Sequence, residues 1–331
     1  MFFLFIGSTE LSKIPGVSAA GANPDIAELT PSADADFIRS GRSEAMDFPP
    51  MDPEGHPTPA LITRAAVLEA RIPVCVVRAG SCRPPAEPYV ELGAGVGRNP
   101  CAESAVPDAA LIYARARQFA ENFGSNNKWV MIAESVPGGT TTALLTLRAM
   151  GYRGMVSSAS RVNPTALKEK IWQDAQARRA ASGTKLKSDP ISLITEYGDP
   201  MQAAVLGFID GLDRETEIIL AGGTQMLAIA ALASRIDASF NPLVATTKYV
   251  AADESSSFNE LASALDIRTY LAPLDFSDSP HMGLQDYEKG CVKEGAGAGG
   301  AVLYAGRKGV GIERIIARTN EIYSNTFASH R

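Results

Sequence analysis

A strand-like apolar run followed by a loop and a helical segment occurs twice in this 331-residue chain. In the first copy, the apolar residues 129–133 precede a glycine-containing loop and a helix expected over residues 140–150. In the second copy, residues 217–221 precede the pair Gly222-Gly223 and a helix expected over residues 224–235. Repeated strand–loop–helix units build parallel sheets covered by helices. The sequence therefore predicts an α/β fold.

Further apolar runs predict more strands of the same sheet at residues 1–6, 73–77 and 247–251. Residues 8–59 are instead rich in Pro, Gly, Ala, Ser and Asp, which predicts a long irregular segment facing a ligand. Ligands bind beyond the carboxyl ends of the strands in an open parallel sheet, so we expect the loops there to form one crevice. Two more helices are expected, over residues 60–71 and 108–123.

Composition excludes several classes of protein. The net charge of −6 argues against nucleic-acid binding, which needs clustered Lys and Arg. Residues 1–6 lack a basic flank and are too short for a membrane span, and no other stretch approaches about 18 uninterrupted apolar residues. The cysteines are scattered without a CxxC pair, so a zinc ribbon or a disulfide framework is not indicated, and a reducing cytoplasm is expected. They are Cys75, Cys82, Cys101 and Cys291.

Familiar catalytic motifs are missing. The glycines of residues 93–97 do not have GxGxxG spacing, and neither a P-loop nor a GxSxG elbow occurs, so we expect no dinucleotide, ATP or Ser-His-Asp chemistry. The histidines His56, His281 and His330 are too dispersed for an HxxxH metal pair. We therefore predict neither a metal nor a cofactor. His281 could be a loop residue at the site or an ordinary solvated histidine.

The first motif with chemical potential begins at Glu134, at the end of a predicted strand, and runs ESVPGGTTT. Paired glycines let the backbone approach a ligand, and the helix start offers free N–H groups to a phosphate or carboxylate. The alternative is a glycine turn, a Thr-capped helix and a surface glutamate. The anion-binding candidates are Gly138, Gly139, Thr140 and Thr141.

The second motif, KEGAGAGGAV, surrounds Glu294 with glycines. Glycine within a helix costs about 0.5–1 kcal/mol relative to alanine, so this density requires close packing or a closely approaching ligand. A loop that encloses a ligand, with Gly295 and Gly297 beside the glutamate, is one interpretation. A flexible glycine-rich connector is the other.

The segments ESVPGGTTTALL, AGGTQMLAIAALA and KEGAGAGGA, in this order, resemble the nicotinate-nucleotide:dimethylbenzimidazole phosphoribosyltransferase family. The match is best to its divergent branch, common in archaea and cyanobacteria, which SKIPGVSAAGANP and YVAADESSSFNELA also resemble. The resemblance implies a Rossmann-like parallel sheet flanked by helices, with a smaller helical part from both chain ends, in a homodimer. Residues 1–331 would form one unit, with a large α/β domain over about 70–305 and an accessory part over about 8–69 and 306–331.

By this resemblance, Glu294 is the general base that takes the proton from the benzimidazole nitrogen, and Glu134 positions the base or the ribose. The sequence departs from the bacterial branch, because Pro137-Gly138-Gly139 replaces Gly-x-Gly and residues 156–158 replace a glycine-rich phosphate loop. Lys170 is the candidate for the family's phosphate-contacting lysine, with an exposed helix lysine as the alternative. The remaining substrate-binding candidates are Ser157, Ser158, Gly222, Gly223, Asp253 and Ser277.

The implied reaction moves phosphoribose from nicotinate mononucleotide to a benzimidazole-type base and yields α-ribazole phosphate and nicotinate. This step builds the nucleotide loop of a cobamide. Two alternatives stay open. The chain could bind a nucleotide or a cobamide intermediate without catalysis, or it could be a transferase that uses another base, such as adenine.

Overall fold

One parallel sheet of seven strands organises the chain. The structure is a computed structural model and describes residues 1–21, 23–47, 49–52, 54–123, 128–183 and 185–327. Its strands are β1 (Phe2–Ile6), β2 (Val74–Arg78), β3 (Val90–Glu91), β4 (Trp129–Ser135), β5 (Glu217–Ala221), β6 (Leu243–Thr247) and β7 (Arg268–Ala272). They lie in the order β3-β2-β1-β4-β5-β6-β7 and all pair in parallel. The predicted α/β class is confirmed.

Helices cover both faces of the sheet. The first half of the chain contributes α1 (Pro24–Ala27), α2 (Thr30–Ser40), α3 (Ala60–Ala70), α4 (Ala109–Phe123), α5 (Gly139–Ala149), α6 (Thr165–Ala181) and α7 (Pro190–Tyr197). The second half contributes α8 (Pro200–Gly211), α9 (Thr224–Ser234), α10 (Lys248–Ala251), α11 (Phe258–Ala264), α12 (Met282–Gln285), α13 (Ala298–Arg307) and α14 (Ile312–Thr326). Short 3-10 helices occupy Glu10–Lys13 and Asp286–Lys289. Among the described residues, no helix has the length and apolar character needed to cross a membrane.

Alternation along β1 shows how the sheet divides two cores. All five of its residues are fully buried, as predicted for this apolar run. Phe3 and Phe5 pack on the side of α4, α5, α8 and α9, whereas Phe2, Leu4 and Ile6 pack on the side of α2, α3, α13 and α14. Successive side chains of a strand point to opposite faces, so a strand buried on both sides must be apolar throughout.

The strand order reverses between β1 and β4. From β1 the chain builds outward to β2 and β3 on one side, and then returns to build β4 to β7 on the other. In the β1–β4 pairing, Phe5 lies opposite Glu134 and Ile6 opposite Ser135, so Glu134 stands at the carboxyl edge of this junction. A reversal of strand order opens a crevice at that edge, which is where open α/β sheets bind ligands.

Two expectations about local structure were wrong. Residues 8–59 are not irregular throughout, because α2 forms an 11-residue helix in which Pro31 occupies the first turn, where its missing N–H costs nothing. Residues 247–251 are not a strand, because β6 already ends at Thr247 and residues 248–251 turn into α10. The Thr-rich run before Lys248 has the β-branched character of a strand, and the strand prediction was displaced along the sequence by about four residues.

The two chain ends meet on one face of the sheet. Helix α14 packs against α3, which also contacts α2 and α13. These helices share one hydrophobic core with the side chains on the face of the sheet that they cover. The division into a large domain and an accessory part therefore stays a prediction, although the association of the two chain ends is visible.

Helix α13 approaches the sheet through glycine backbone. A Cβ atom on Gly299 would overlap the backbone of Thr246, and one on Gly300 would overlap Ala221 and lie 2.9 Å from the sulfur of Met131. Gly297, with φ at +71°, precedes the helix and faces Ala133. Close packing therefore accounts for these three glycines of the second motif, and the flexible-connector interpretation does not fit them.

Replacing Gly299 by Ala should lower the free energy of unfolding by about 1–3 kcal/mol, because the added methyl must push α13 away from β6. The matched control is Gly306→Ala in the same helix, where a Cβ would meet nothing within 4 Å. This control should gain about 0.5–1 kcal/mol from better helix propensity. Urea unfolding followed by circular dichroism measures both. Equal stability of Gly299→Ala and the wild type would contradict the close contact.

Candidate active site

A cavity lies at the carboxyl edge of the sheet, next to the β1–β4 junction. It holds about 1000 Å³ of space, part of which is open to solvent. Its wall combines the end of β4 and the segment before α13 with other loops, the starts of α5 and α9, and parts of residues 17–59, so the segment expected to face a ligand does line this cavity. The predicted site residues that line it are Glu134, Gly138, Thr140, Ser157, Ser158, Gly223, Glu294 and Gly295.

Glu294 is held rigidly at the cavity wall. Its carboxylate accepts hydrogen bonds from the backbone N–H of Thr247 at 2.9 Å and from the N–H of Gly299, in the first turn of α13, at 3.2 Å. The hydroxyl of Thr246 donates a third bond at 3.2 Å and the N–H of Gly295 a fourth, also at 3.2 Å. Burial raises the pKa of Glu294 to about 7, although these bonds favour the charged form.

Glu134 is almost fully buried, and its surroundings differ from those of Glu294. Burial, together with the negative charges of Glu294, Asp199 and Asp34, raises its pKa to about 8. Only the N–H of Val136 acts in the opposite direction among the described residues. Near neutral pH, Glu134 is therefore mostly protonated, while Glu294 is divided between its two forms.

Asp34 is a third cavity carboxyl, which the sequence analysis did not identify. It lies on α2 and is buried, and it accepts a hydrogen bond from Thr58 Oγ1 at 2.8 Å and another from Ser135 Oγ at 2.9 Å. Burial raises its pKa to about 7. Sequence reasoning missed it because residues 8–59 were expected to be irregular. The proline followed by a run of helix-compatible residues from Thr30 was the available signal.

Two buried lysines hold the loop that contains Ser157 and Ser158. Lys168 donates to the backbone oxygen of Ser157 at 2.7 Å, and burial lowers its pKa to about 7. Lys293 donates to the backbone oxygen of Ser158 at 2.9 Å and forms an ion pair with Asp253 at 3.2 Å. Lys293 also lines the cavity. This part of the wall is therefore backed by the amino groups of two lysines.

Three of the predicted substrate-binding residues lie elsewhere. Lys170 is exposed and pairs with Asp174 at 2.9 Å, so the exposed-lysine alternative describes it and Lys168, two residues earlier, faces the loop instead. On a helix, a shift of two residues moves a side chain to the other face. Ser277 bonds to Asp275 in an exposed turn. Asp253 does not line the cavity, but it forms an ion pair with Lys293, which does.

The other predicted residues outside the lining shape the site indirectly. A Cβ on Gly139 would overlap Oε1 of the cavity residue Gln225, so this glycine makes room for that side chain. A Cβ on Gly222 would lie 3.5 Å from Oε1 of Glu134. Thr141 is fully buried, and its hydroxyl has no hydrogen-bond partner among the described residues. Gly297 lies under the start of α13, against Ala133.

The histidines lie away from the cavity lining. His281 begins α12, where its Nε2 bonds to Ser324 Oγ at 2.9 Å and its ring stacks on Tyr323. His56 bonds to Asp52 and Asp286. His330 falls outside the described residues.

Comparison with known proteins establishes the family and the fold. The UPF0284 protein of Thermococcus gammatolerans is 44% identical to this chain over 325 residues, which cover 98% of this chain and 97% of the relative. This chain belongs to the UPF0284 family. No protein-family model matches it.

Two solved structures have a similar fold. The crystal structure of CobT from Thermus thermophilus matches 97% of the UPF0284 chain and 83% of its own, with a TM-score of 0.63 and 18% identity. The nicotinate-nucleotide–dimethylbenzimidazole phosphoribosyltransferase structure from the same organism matches with a TM-score of 0.60 and 16% identity. The resemblance found in the sequence is thus confirmed at the level of the fold.

Replacing Glu134 by Gln should stabilise the protein increasingly as pH rises. Folding raises the pKa of Glu134 from 4.5 to about 8, so the folded state retains a proton that the unfolded chain releases between these values. Wild-type stability therefore falls as pH rises through this window, and the glutamine avoids that loss. At about 1.4 kcal/mol per pKa unit, the gain at pH 9 is on the order of a few kcal/mol.

Thermal unfolding of Glu134→Gln and the wild type at pH 5 and pH 9 measures this difference. Glu121→Gln, on the exposed side of α4, is the matched control and should show no pH-dependent change. A Glu134→Gln advantage that is the same at both pH values would show that Glu134 is not buried in its protonated form.

Proposed function

We propose that this protein is a phosphoribosyltransferase that moves phosphoribose from nicotinate mononucleotide to a benzimidazole-type base in the assembly of a cobamide nucleotide loop. The observation that supports this most is that two glutamates line one cavity and that Glu294 is fixed there by four donors. The fold shared with CobT agrees with the proposal. The division of roles made from the sequence, with Glu294 as the base and Glu134 as the positioning group, is retained.

The phosphate of the nucleotide would bind where the positive ends of two helices reach the cavity. Gly138 and Thr140 line it at the start of α5, and Gly223 and Thr224 line it at the start of α9. Helix N-termini offer unpaired N–H groups and a favourable dipole to anions. Lys293, which is ion-paired with Asp253, adds an ammonium group at the Ser157–Ser158 loop, and this loop stands where the bacterial branch has glycines.

The reaction is a displacement at the anomeric carbon of the ribose. A ring nitrogen of the base forms the new C–N bond, while the bond to the nicotinate nitrogen breaks and its electron pair returns to the pyridine ring. The N–H proton of the attacking ring passes to the Glu294 carboxylate. The configuration at the anomeric carbon changes from β to α. A base with a pKa near the working pH is suited to this transfer. Protonated Glu134 can donate a hydrogen bond that orients the ribose or the base.

Replacing Glu294 by Gln should reduce transfer by about 10²–10⁴-fold, the usual contribution of a positioned general base, while the fold is kept. Wild-type kcat should rise with pH through about 7, because only the ionised carboxylate accepts the proton. This rise should be absent from the residual activity of the variant. The measurement is release of nicotinate from nicotinate mononucleotide in the presence of dimethylbenzimidazole.

Glu103→Gln, at an exposed ion pair with Arg98, is the control and should keep wild-type kcat and pH dependence. A fully active Glu294→Gln enzyme would exclude the proposed base. Two further outcomes would identify the other two candidate functions, both of which would use the same cavity. Transfer to adenine alone would identify a transferase with another acceptor, and binding of nicotinate mononucleotide without transfer to any base would identify a binding protein.

Lys293→Met should raise the KM for nicotinate mononucleotide by about tenfold or more, since a charge-assisted contact with phosphate is worth about 1.5–3 kcal/mol. Lys168→Met should act in the same direction by loosening the loop above it. Lys170→Met is the matched control on the same helix and should stay within about twofold of wild type. An equal effect of the Lys168 and Lys170 substitutions would contradict the assignment of the phosphate end of the cavity.

The nicotinate mononucleotide and base substrates, the homodimer and the cytoplasmic location expected from the sequence belong to this proposal. The homodimer and the location stay predictions.

A further inference from the structure

A group of potential metal ligands lies behind the cavity wall, apart from the carboxyls described above. Ligand atoms of Glu54, His56 and Cys291 all fall within 4.8 Å of one another. His56 and Cys291 are buried, whereas Glu54 is exposed. The three residues come from segments near opposite ends of the chain, which the fold brings together. A search for two metal ligands a few residues apart in the sequence could therefore not have found this group.

The imidazole of His56 is oriented as in many metal sites. Asp52 Oδ2 lies 2.6 Å from Nδ1 of the ring, while Oδ1 accepts the backbone N–H groups of Glu54 at 2.9 Å and His56 at 2.8 Å. In a neutral imidazole, this contact favours the tautomer with its proton on Nδ1, whose Nε2 offers an electron pair to a metal. A carboxylate that holds the far nitrogen of a ligating histidine is the usual second layer of such sites.

The other ring nitrogen, Nε2, faces another potential ligand. Oδ2 of Asp286 lies 3.2 Å from Nε2 of His56. Two ligands bound at about 2.0–2.1 Å to a tetrahedral Zn²⁺ are separated by roughly 3.3 Å, so this distance matches one edge of such a site. The other carboxylate oxygen of Asp286 pairs with Lys289 at 2.6 Å. An ion pair with a protonated His56 would give the same distance.

We propose that His56, Cys291, Glu54 and Asp286 bind a divalent transition-metal ion of the Zn²⁺ class. On binding, the thiol of Cys291 loses its proton to solvent, and the neutral His56 contributes its Nε2 electron pair. The mixed nitrogen, sulfur and oxygen set suits Zn²⁺ and disfavours Mg²⁺ or Ca²⁺, which take oxygen ligands. The facing cations, Lys289 and Arg161, balance the remaining negative charge.

The position of the site gives the ion a structural role. Asp52 and Val292 line the cavity on either side of the ligand group, and Val292 leads directly to Lys293 and Glu294. The ion would link Glu54 and His56 to the segment that carries the proposed base. A hydrogen bond from the hydroxyl of Tyr287 to the backbone oxygen of Pro57, at 2.7 Å, already joins these segments. The ion would add a second link between these segments, and its binding does not depend on the proposed transferase activity.

The test uses untagged full-length protein, freed of metal by a chelator and titrated with Co²⁺ and with Zn²⁺ in the absence of any substrate. We expect one equivalent of Co²⁺ per chain, with the near-ultraviolet charge-transfer band that reports a thiolate ligand. One equivalent of Zn²⁺ should displace it and raise the thermal unfolding temperature. Cys291→Ser should abolish the band, and Asp52→Asn should weaken binding by about 10–100-fold.

Cys101→Ser and His281→Ala are the matched controls, because both residues lie outside the ligand group, and both should bind as wild type. Glu54→Gln keeps the test decisive if a buried variant fails to fold, since this side chain is exposed, and it should weaken binding about tenfold or more. Substoichiometric binding without a thiolate band, or a band that survives in Cys291→Ser, would overturn the proposal and leave His56 as an ion-paired imidazolium.

Discussion

The contact between α13 and the sheet is backbone on backbone, and the site is built on it. With glycine at positions 299 and 300, the helix comes close enough for its first-turn N–H of Gly299 to bond the Glu294 carboxylate, which the N–H of Thr247 at the end of β6 also holds. Any larger residue at these positions would separate the two donors. The glycines of the second motif therefore fix the position of a carboxylate first, and only Gly295 faces the cavity itself.

A second constraint is the concentration of acidic groups in one buried place. Glu134, Glu294 and Asp34 line the same cavity, and burial raises the pKa of each. The pKa values of the two glutamates differ because neighbouring carboxyls raise that of Glu134, while several N–H groups compensate the charge of Glu294. Two carboxyls of one site thus have pKa values raised toward neutral pH, which costs stability and suits acid–base chemistry.

Prediction from the sequence succeeded where a local pattern was enough. The strand β4, the glycine loop and α5 follow each other in sequence, so Glu134 could be placed at the carboxyl edge without knowing the partners of the strand. It failed where a choice between helix faces or distant segments was needed. Lys170 and Lys168 lie on one helix, and only the packing of α6 decides which of them turns toward the Ser157 loop. Asp34 reaches the cavity through α2, in a segment whose composition indicates turns.

The sequence by itself determined the α/β class, four of the seven strands and four of the fourteen helices that the structure describes, and the places of the two glutamates, because apolar periodicity and glycine pairs act over a few neighbouring residues. The resemblance of three motifs to a phosphoribosyltransferase family added the expected reaction. Only the tertiary structure decided the strand order, the buried lysines, Asp34 and the meeting of His56 with Cys291. These depend on contacts between segments far apart in the chain, whose burial and charge are set by packing and leave no local signal in the sequence.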